Sequence, residues 1–203
     1  MAGLPLNYNT NMVQLGKGDV WINVELPATS LRPTITAAAD GTLTPDATLS
    51  ASAVHMGMTL EGSKFTYKPT IEDYHSDEQA APIISSVNVI EAKLEGSMIQ
   101  TLDSLILAKL ITTGTRTAGS GYEQITLGDG QAVTTYTILL IAPVYSDTTK
   151  IVAVELYKTY NAAGFEMDIG RKKMAASPFS FTGMSIASRP AADRVGIWWK
   201  TIT

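Results

Sequence analysis

The sequence predicts a mainly β domain, a β-sandwich or barrel with one α-helix on its flank. Three observations carry this reading. Runs rich in Val, Ile, Tyr and Thr recur along most of the 203 residues and are bounded by Gly, Pro and Asx turn signals. A single segment, residues 97–112, has apolar residues at helical spacing. No internal repeat or composition break divides the chain, so residues 1–203 read as one domain.

Taken in order, residues 1–17 read as an arm ahead of the first strand, Val20–Leu26, which Pro27 closes. Residues 28–52 are rich in Thr, Ala and Ser and contain Pro33, Pro45 and Asp40-Gly41. Asp-Gly is a hairpin-turn signal, and the segment is expected to be a long mobile loop with weak strands. Ala53–Leu60 and Ser63–Lys68 predict strands, broken at Glu61-Gly62. The polar segment 69–82 then reads as a loop, and Ile83–Leu94 as a long strand with Ile83, Ile84, Val87, Val89 and Ile90. Two strands around a polar loop make a long hairpin.

The helix is placed by Ser97-Met98-Ile99-Gln100, which has the form of a capping box. Ile99, Leu102, Leu105, Ile106 and Leu110 follow as one apolar stripe, with Gly114 as the stop. A helix this short needs a sheet face for support. Thr115–Gly121 reads as a flexible linker. Thr134–Val144 and Lys150–Tyr160 are strongly β, and turn signals lie at Gly128-Asp129-Gly130 and Asn161–Gly164. Phe165–Ile169 continues β-like, and Phe179–Ile186 and Val195–Ile202 are late strands.

The chain carries a formal net charge of −4, no cysteine and only 17% charged residues, against roughly 25% in an average soluble domain. A surface so short of charge is expected to be covered in part by a partner. Zero cysteines exclude a disulfide scaffold, a thiolate metal site and a cysteine nucleophile. The acidic balance argues against a general nucleic-acid binder. The start MAGLPLNYNTNMV has neither a basic nor an apolar signal-peptide region, and no run approaches the 18 or so apolar residues of a membrane span. The protein is therefore expected to be made in a cytoplasm and to be soluble or assembled there.

The catalytic inventory is thin. A triad would need His55 or His75 beside a serine and a carboxylate. There is no G-x-S-x-G elbow and no phosphate loop; Gly16-Lys17-Gly18-Asp19 reads as a turn. The densest polar cluster is Glu72-Asp73-Tyr74-His75-Ser76-Asp77-Glu78. A metal reading would use its carboxylates with His75, and paired acids could serve glycoside hydrolysis. The calcium-loop glycine and terminal glutamate are absent, and a solvated hairpin tip accounts for the cluster. No catalytic, cofactor-binding or metal-binding residue is assigned, and the chain reads as a non-enzyme without a cofactor.

Charge is uneven. Pro69 to Ala92 holds Glu72, Asp73, Asp77, Glu78 and Glu91 with no Lys or Arg, whereas from Arg171 onward Arg171, Lys172, Lys173, Arg189, Arg194 and Lys200 face only Asp193. These regions can complement each other between copies. Trp198-Trp199 adds a second sign of assembly: neighbours on a strand point to opposite faces, so both faces of that strand need a cover.

The order Gly57-Met58-Thr59-Leu60-Glu61-Gly62, Phe65-Thr66-Tyr67-Lys68-Pro69, Asp77-Glu78-Gln79, Pro82, Val87–Glu95 and Gly96-Ser97-Met98 leading into Thr101-Leu102 resembles the major tail tube protein of long-tailed (siphovirus-type) bacteriophages. Tyr136–Val144, Lys150–Tyr160 and Ser177-Pro178-Phe179-Ser180-Phe181 resemble that family's second half. The resemblance covers most of residues 18–200 and rests on the order and composition of elements.

The resemblance implies a virion structural protein: hexameric rings, stacked head-to-tail around a tape-measure protein, between tail terminator and tail tip proteins, with one continuous inner β-barrel. DNA would pass through this lumen without specific binding. An acidic lining suits such passage because Lys and Arg hold phosphate; Glu61, Asp73, Glu91 and Glu95 are the expected lumen residues. Expected ring or subunit contacts are Glu72, Asp77 and Glu78, Arg171, Lys172 and Lys173, and Trp198 and Trp199. The alternatives are another phage structural β-protein, a head–tail joining or terminator protein, and a carbohydrate-binding or hydrolase sandwich. The related tubes of contractile tails share the expected fold.

Overall fold

The computed structural model describes residues 18–25, 34–37, 42–46, 51–57, 59–74, 81, 84–99, 103–128, 132–144, 147–166 and 176–201. The fold is mainly β and antiparallel throughout. Its strands are β1 (Asp19–Ile22), β2 (Ile35–Ala37), β3 (Leu43–Pro45), β4 (Val54–His55), β5 (Thr59–Tyr74), β6 (Ile84–Met98), β7 (Gly114–Gly119), β8 (Tyr122–Leu127), β9 (Tyr136–Val144), β10 (Asp147–Asn161), β11 (Ser177–Gly183) and β12 (Gly196–Lys200). One helix among the described residues, α1 (Ser104–Leu110), lies between β6 and β7.

Eight strands form one sheet in the order β4-β1-β9-β10-β11-β6-β5, with β12 pairing β10. The branch arises because β10 is long. Val152–Leu156 pair with β12, and Thr159–Asn161, further along, pair with β11. Two hairpins, β2–β3 and β7–β8, stand apart.

Alternation decides the two cores. In β9, Ile138 and Leu140 pack with Val20, Ile22, Val154, Leu156, Leu94, Phe179 and Phe181. Helix α1 covers this face with Ile106 and Leu110. The intervening Leu139 and Ile141 pack on the other face with Val24, Ile151, Ala153, Trp199 and Leu43 of the β2–β3 hairpin. Burial on both faces explains why β9 and β10 read as continuous apolar runs. Trp21 fastens the hairpin by donating its indole N–H to the Leu43 carbonyl at 2.9 Å. Asp19 accepts the Leu43 N–H at 2.9 Å and sits 3.1 Å from His55 Nε2.

Several expectations are corrected. The helix does not begin at Ser97: Ser97 and Met98 end β6, where Ser97 pairs with Leu60 and Pro178. Pairing on both sides already satisfies that backbone. The cap is Asp103, whose carboxylate accepts the Leu105 N–H at 2.9 Å. Gly114 opens β7 and does not cap the helix, which ends at Leu110 with Ile111 as its C-cap. The expected linker Thr115–Gly121 is the first half of the β7–β8 hairpin, β7 after Gly114 and the turn, with Gly121 at φ 85° in the turn. Of the expected β-like stretch Phe165–Ile169, Phe165 and Glu166 are irregular and 167–169 lie outside the described residues. The break at Glu61-Gly62 is a bulge inside β5, between the rungs Leu60–Ser97 and Ser63–Gly96. Segment 28–52 contains a real hairpin, β2–β3, flanking the Asp40-Gly41 signal. The expected loop 69–82 is strand as far as Tyr74, the end of β5; its residues 75–80 and 82, the arm 1–17 and Arg171–Lys173 lie outside the described residues.

Candidate functional site

The long hairpin is the outstanding surface. β6 pairs with β11 only from Lys93 to Met98, while its pairing with β5 continues to Tyr74–Ile84. The rungs from Tyr67–Ala92 outward therefore form a two-stranded ribbon that leaves the sheet. At about 3.3 Å per residue it extends roughly 25 Å.

Its faces follow from the register. Phe65–Leu94, Tyr67–Ala92, Pro69–Ile90 and Ile71–Val87 are paired rungs that share one face. Leu94 and Ala92 belong to the core, and Phe65 packs against it. The same face then runs into solvent: Tyr67 is 55% exposed, Ile71 59% and Val87 57%. Apolar core surface thus continues uncovered along the ribbon. The skipped residue in the ladder is Asn88, between the rungs Thr70–Val89 and Ile71–Val87.

The opposite face carries the charges. Its rungs are Lys64–Glu95, Thr66–Lys93, Lys68–Glu91, Thr70–Val89 and Glu72–Ser86, ending at Tyr74–Ile84. Glu91 and Lys93 form an ion pair, and the Lys93 ammonium beside it lowers the Glu91 pKa. The expectation of a cation-free acidic face is not met here. The stretch from Pro69 to Ala92 lacks lysine, but Lys64, Lys68 and Lys93 stand among Glu72, Glu91 and Glu95.

Of the expected lumen residues, Glu91 and Glu95 share this charged face, and Ser180 Oγ lies 3.4 Å from Glu95. Asp73 lies on the apolar face, where its carboxylate accepts the Ser85 hydroxyl. Glu61 lies in the β5 bulge. Of the expected contact residues, Glu72 is exposed near the ribbon end, whereas Asp77, Glu78, Arg171, Lys172 and Lys173 lie outside the described residues. The two tryptophans do point to opposite faces. Trp199 is covered within the subunit by the second core, and Trp198 is 61% exposed.

A cleft of about 300 Å³ opens beside Trp198, at the base of the ribbon. Phe65 and Tyr67 form one wall, Val195–Trp198 another, and Val154–Leu156, with Glu155 between them, the floor. Among the described residues, the outer edge of β5 and the second edge of β12 pair with no strand.

Sequence reading missed one buried acid. Glu155 is fully buried, both its carboxylate oxygens lack a hydrogen-bond partner, and burial pushes its pKa up to about 8. Alternation turns its side chain to the face opposite Val154 and Leu156. Nearby, Tyr157 donates its hydroxyl to Asp193, the Arg189 guanidinium lies 3.9 Å from the Tyr157 ring centroid, and Arg189 pairs with Asp193 at 3.4 Å. His55, the other candidate for chemistry, stacks on Trp21 at 4.9 Å and holds Asp19, a structural arrangement. No helix among the described residues is long and apolar enough to cross a membrane.

No protein-family model matches the chain, and a search of curated proteins finds no significant match.

Proposed function

We propose that the chain is a structural subunit that assembles with copies of itself into a hollow tube, the tail tube of a long-tailed bacteriophage. In this reading hexameric rings stack head-to-tail, and DNA crosses the lumen on its way to the host. One observation carries the reading: a core-continuous apolar face extends into solvent along a ribbon whose outer strand, β5, has an unpaired edge. A long exposed apolar edge is an aggregation hazard in a monomer. It is an asset in a ring, where the neighbouring copy pairs and covers it. Contacts between two different patches of one chain are head-to-tail and generate rings or filaments.

The charged ribbon face suits a conduit surface. Its three lysines are matched by three glutamates and Glu91 engages Lys93, so the face carries no net positive charge to hold phosphate. The reading places the protein in the virion tail, built in the host cytoplasm, without cofactor or catalysis, and with tape-measure, terminator and tip proteins as its other partners.

The test is negative-stain microscopy of the purified chain at high concentration. Stacked rings or hollow tubes support the proposal. A protein that stays monomeric overturns it. Rings that never stack favour a head–tail joining or terminator protein.

A further inference from the structure

The assembly reading leaves open which surface receives the ribbon. We infer that the cleft between β5 and β12 is the acceptor, and that its occupant is the ribbon end of a second copy of this chain. The inference rests on the tube proposal and names a contact within it.

Size and chemistry agree. An apolar cavity of about 150 Å³ accommodates benzene. A cleft of about 300 Å³ has room for two aliphatic side chains, such as Ile71 and Val87 from one rung of the ribbon. The cleft floor, Val154 and Leu156, belongs to the first core, so an entering side chain extends packing that already exists. Tyr67 and Trp198, both more than half exposed, are the aromatic walls that such a side chain would cover.

Charge agrees as well. The ribbon end is acidic, with Glu72 and Asp73. On the β12 side, Arg194 precedes and Lys200 ends the run that carries the lining residues Val195–Trp198, and the one acid among the lining residues, Glu155, is fully buried. Asp193, the one acid from residue 171 onward, is engaged by Tyr157 and Arg189. Apolar contact with a ring of complementary charge is how specific interfaces fix register.

Reach excludes the intramolecular version. Tyr67 lies in the cleft, and the Ile71–Val87 rung is four residues further along an extended strand, roughly 13 Å away and directed outward. A ribbon cannot fold back into the cleft at its own base, so the donor must be another molecule. Because donor and acceptor are different patches, a one-way contact passes from copy to copy and builds a ring where its rotation closes and a filament where it does not.

The experiment replaces Trp198 with the photo-crosslinker p-benzoylphenylalanine, an aromatic for an aromatic at an exposed position. Equal parts of ¹⁴N- and ¹⁵N-labelled protein are mixed before assembly, irradiated, imaged by negative stain and digested for mass spectrometry. The expected product is a mixed-isotope crosslink from position 198 to residues 70–74 or 84–87. Rings or tubes with crosslinks elsewhere, with Trp198 sites joined to each other, or with none, overturn this contact and leave the tube reading standing. Monomers without intermolecular crosslinks overturn both. Charge reversal gives a second readout: Arg194→Glu should reduce assembly at least tenfold, and adding Glu72→Lys should restore it. Assembly unaffected by Arg194→Glu counts against the acceptor.

Discussion

Asn161 donates its side-chain amide to the carbonyl oxygen of Leu110 at 3.0 Å, tying the last turn of α1 to the end of β10. The same amide donates to the Gly164 carbonyl at 2.7 Å, and its oxygen accepts the Ser180 N–H at 2.9 Å. One buried side chain thus serves a helix end, a turn and the middle of β11. Helix ends leave carbonyls without intrahelical partners, and a helix of 7 residues has little stability of its own. Asn161→Ala should cost about 3 kcal/mol, since buried groups left unsatisfied cost roughly 1–3 kcal/mol each. Urea unfolding would measure the loss, and hydrogen exchange should show it concentrated in α1.

Glu155 makes stability fall as pH rises. Its pKa is raised from the ordinary 4.5 to about 8, first by burial, with Asp193 adding to the rise and Arg189 opposing it. Between these values the folded chain binds more protons than the unfolded one, so the contribution is fully present below pH 4.5 and is lost as pH climbs through 8. At about 1.4 kcal/mol per unit the total is on the order of 5 kcal/mol. Urea midpoints should therefore decline from pH 5 to pH 8. Glu155→Leu, which removes two unsatisfied buried oxygens, should flatten that slope and add about 1–3 kcal/mol at pH 8. A midpoint that rises with pH in the unaltered chain would contradict the assignment.

Exposed ribbon positions separate folding from assembly. Ile71→Lys with Val87→Lys should change monomer stability by no more than about 0.5 kcal/mol, as surface substitutions usually do. Sedimentation should nevertheless show assembly lost. Retention of normal rings would remove the apolar ribbon face from the interface.

Glu91→Lys tests the conduit surface. The change breaks the pair with Lys93 and leaves four lysines on a face with two glutamates. The tube reading predicts normal assembly with slower, more salt-dependent DNA delivery, because added cations hold phosphate. Delivery rates across a salt series would check this, and unchanged rates would take Glu91 off the lumen surface.

The long strands were legible because both apolar runs and β-branched composition mark them, and β9 and β10 lie near their expected bounds. Ser97 misled because a capping box is a local pattern, whereas Met98 is drawn into the first core by partners far along the chain. The β7–β8 hairpin was hidden because its Thr, Gly and Ser content also suits a linker, and its strands are mostly exposed. A hairpin was foreseen, but its first strand was expected to end at Lys68; residues 69–74, read as loop for their polar and Pro content, are the outer part of β5, and the ribbon's faces were not foreseen. Counting charges along the chain made it acidic; only the register shows Lys68 opposite Glu91. Glu155 left a trace in the sequence, an acid between Val154 and Leu156 in an otherwise apolar run.

Asn88 pairs with nothing in the ladder, yet it separates two properties of the ribbon. Rungs on either side of it keep their faces, so the identity of the presented residues does not depend on it. A bulge bends its strand and tightens the twist, so the heading of the ribbon end does. Aim and chemistry are thereby uncoupled: a lineage could lose or gain a residue at this point and re-steer the ribbon toward a differently spaced neighbour without rewriting the surface it delivers.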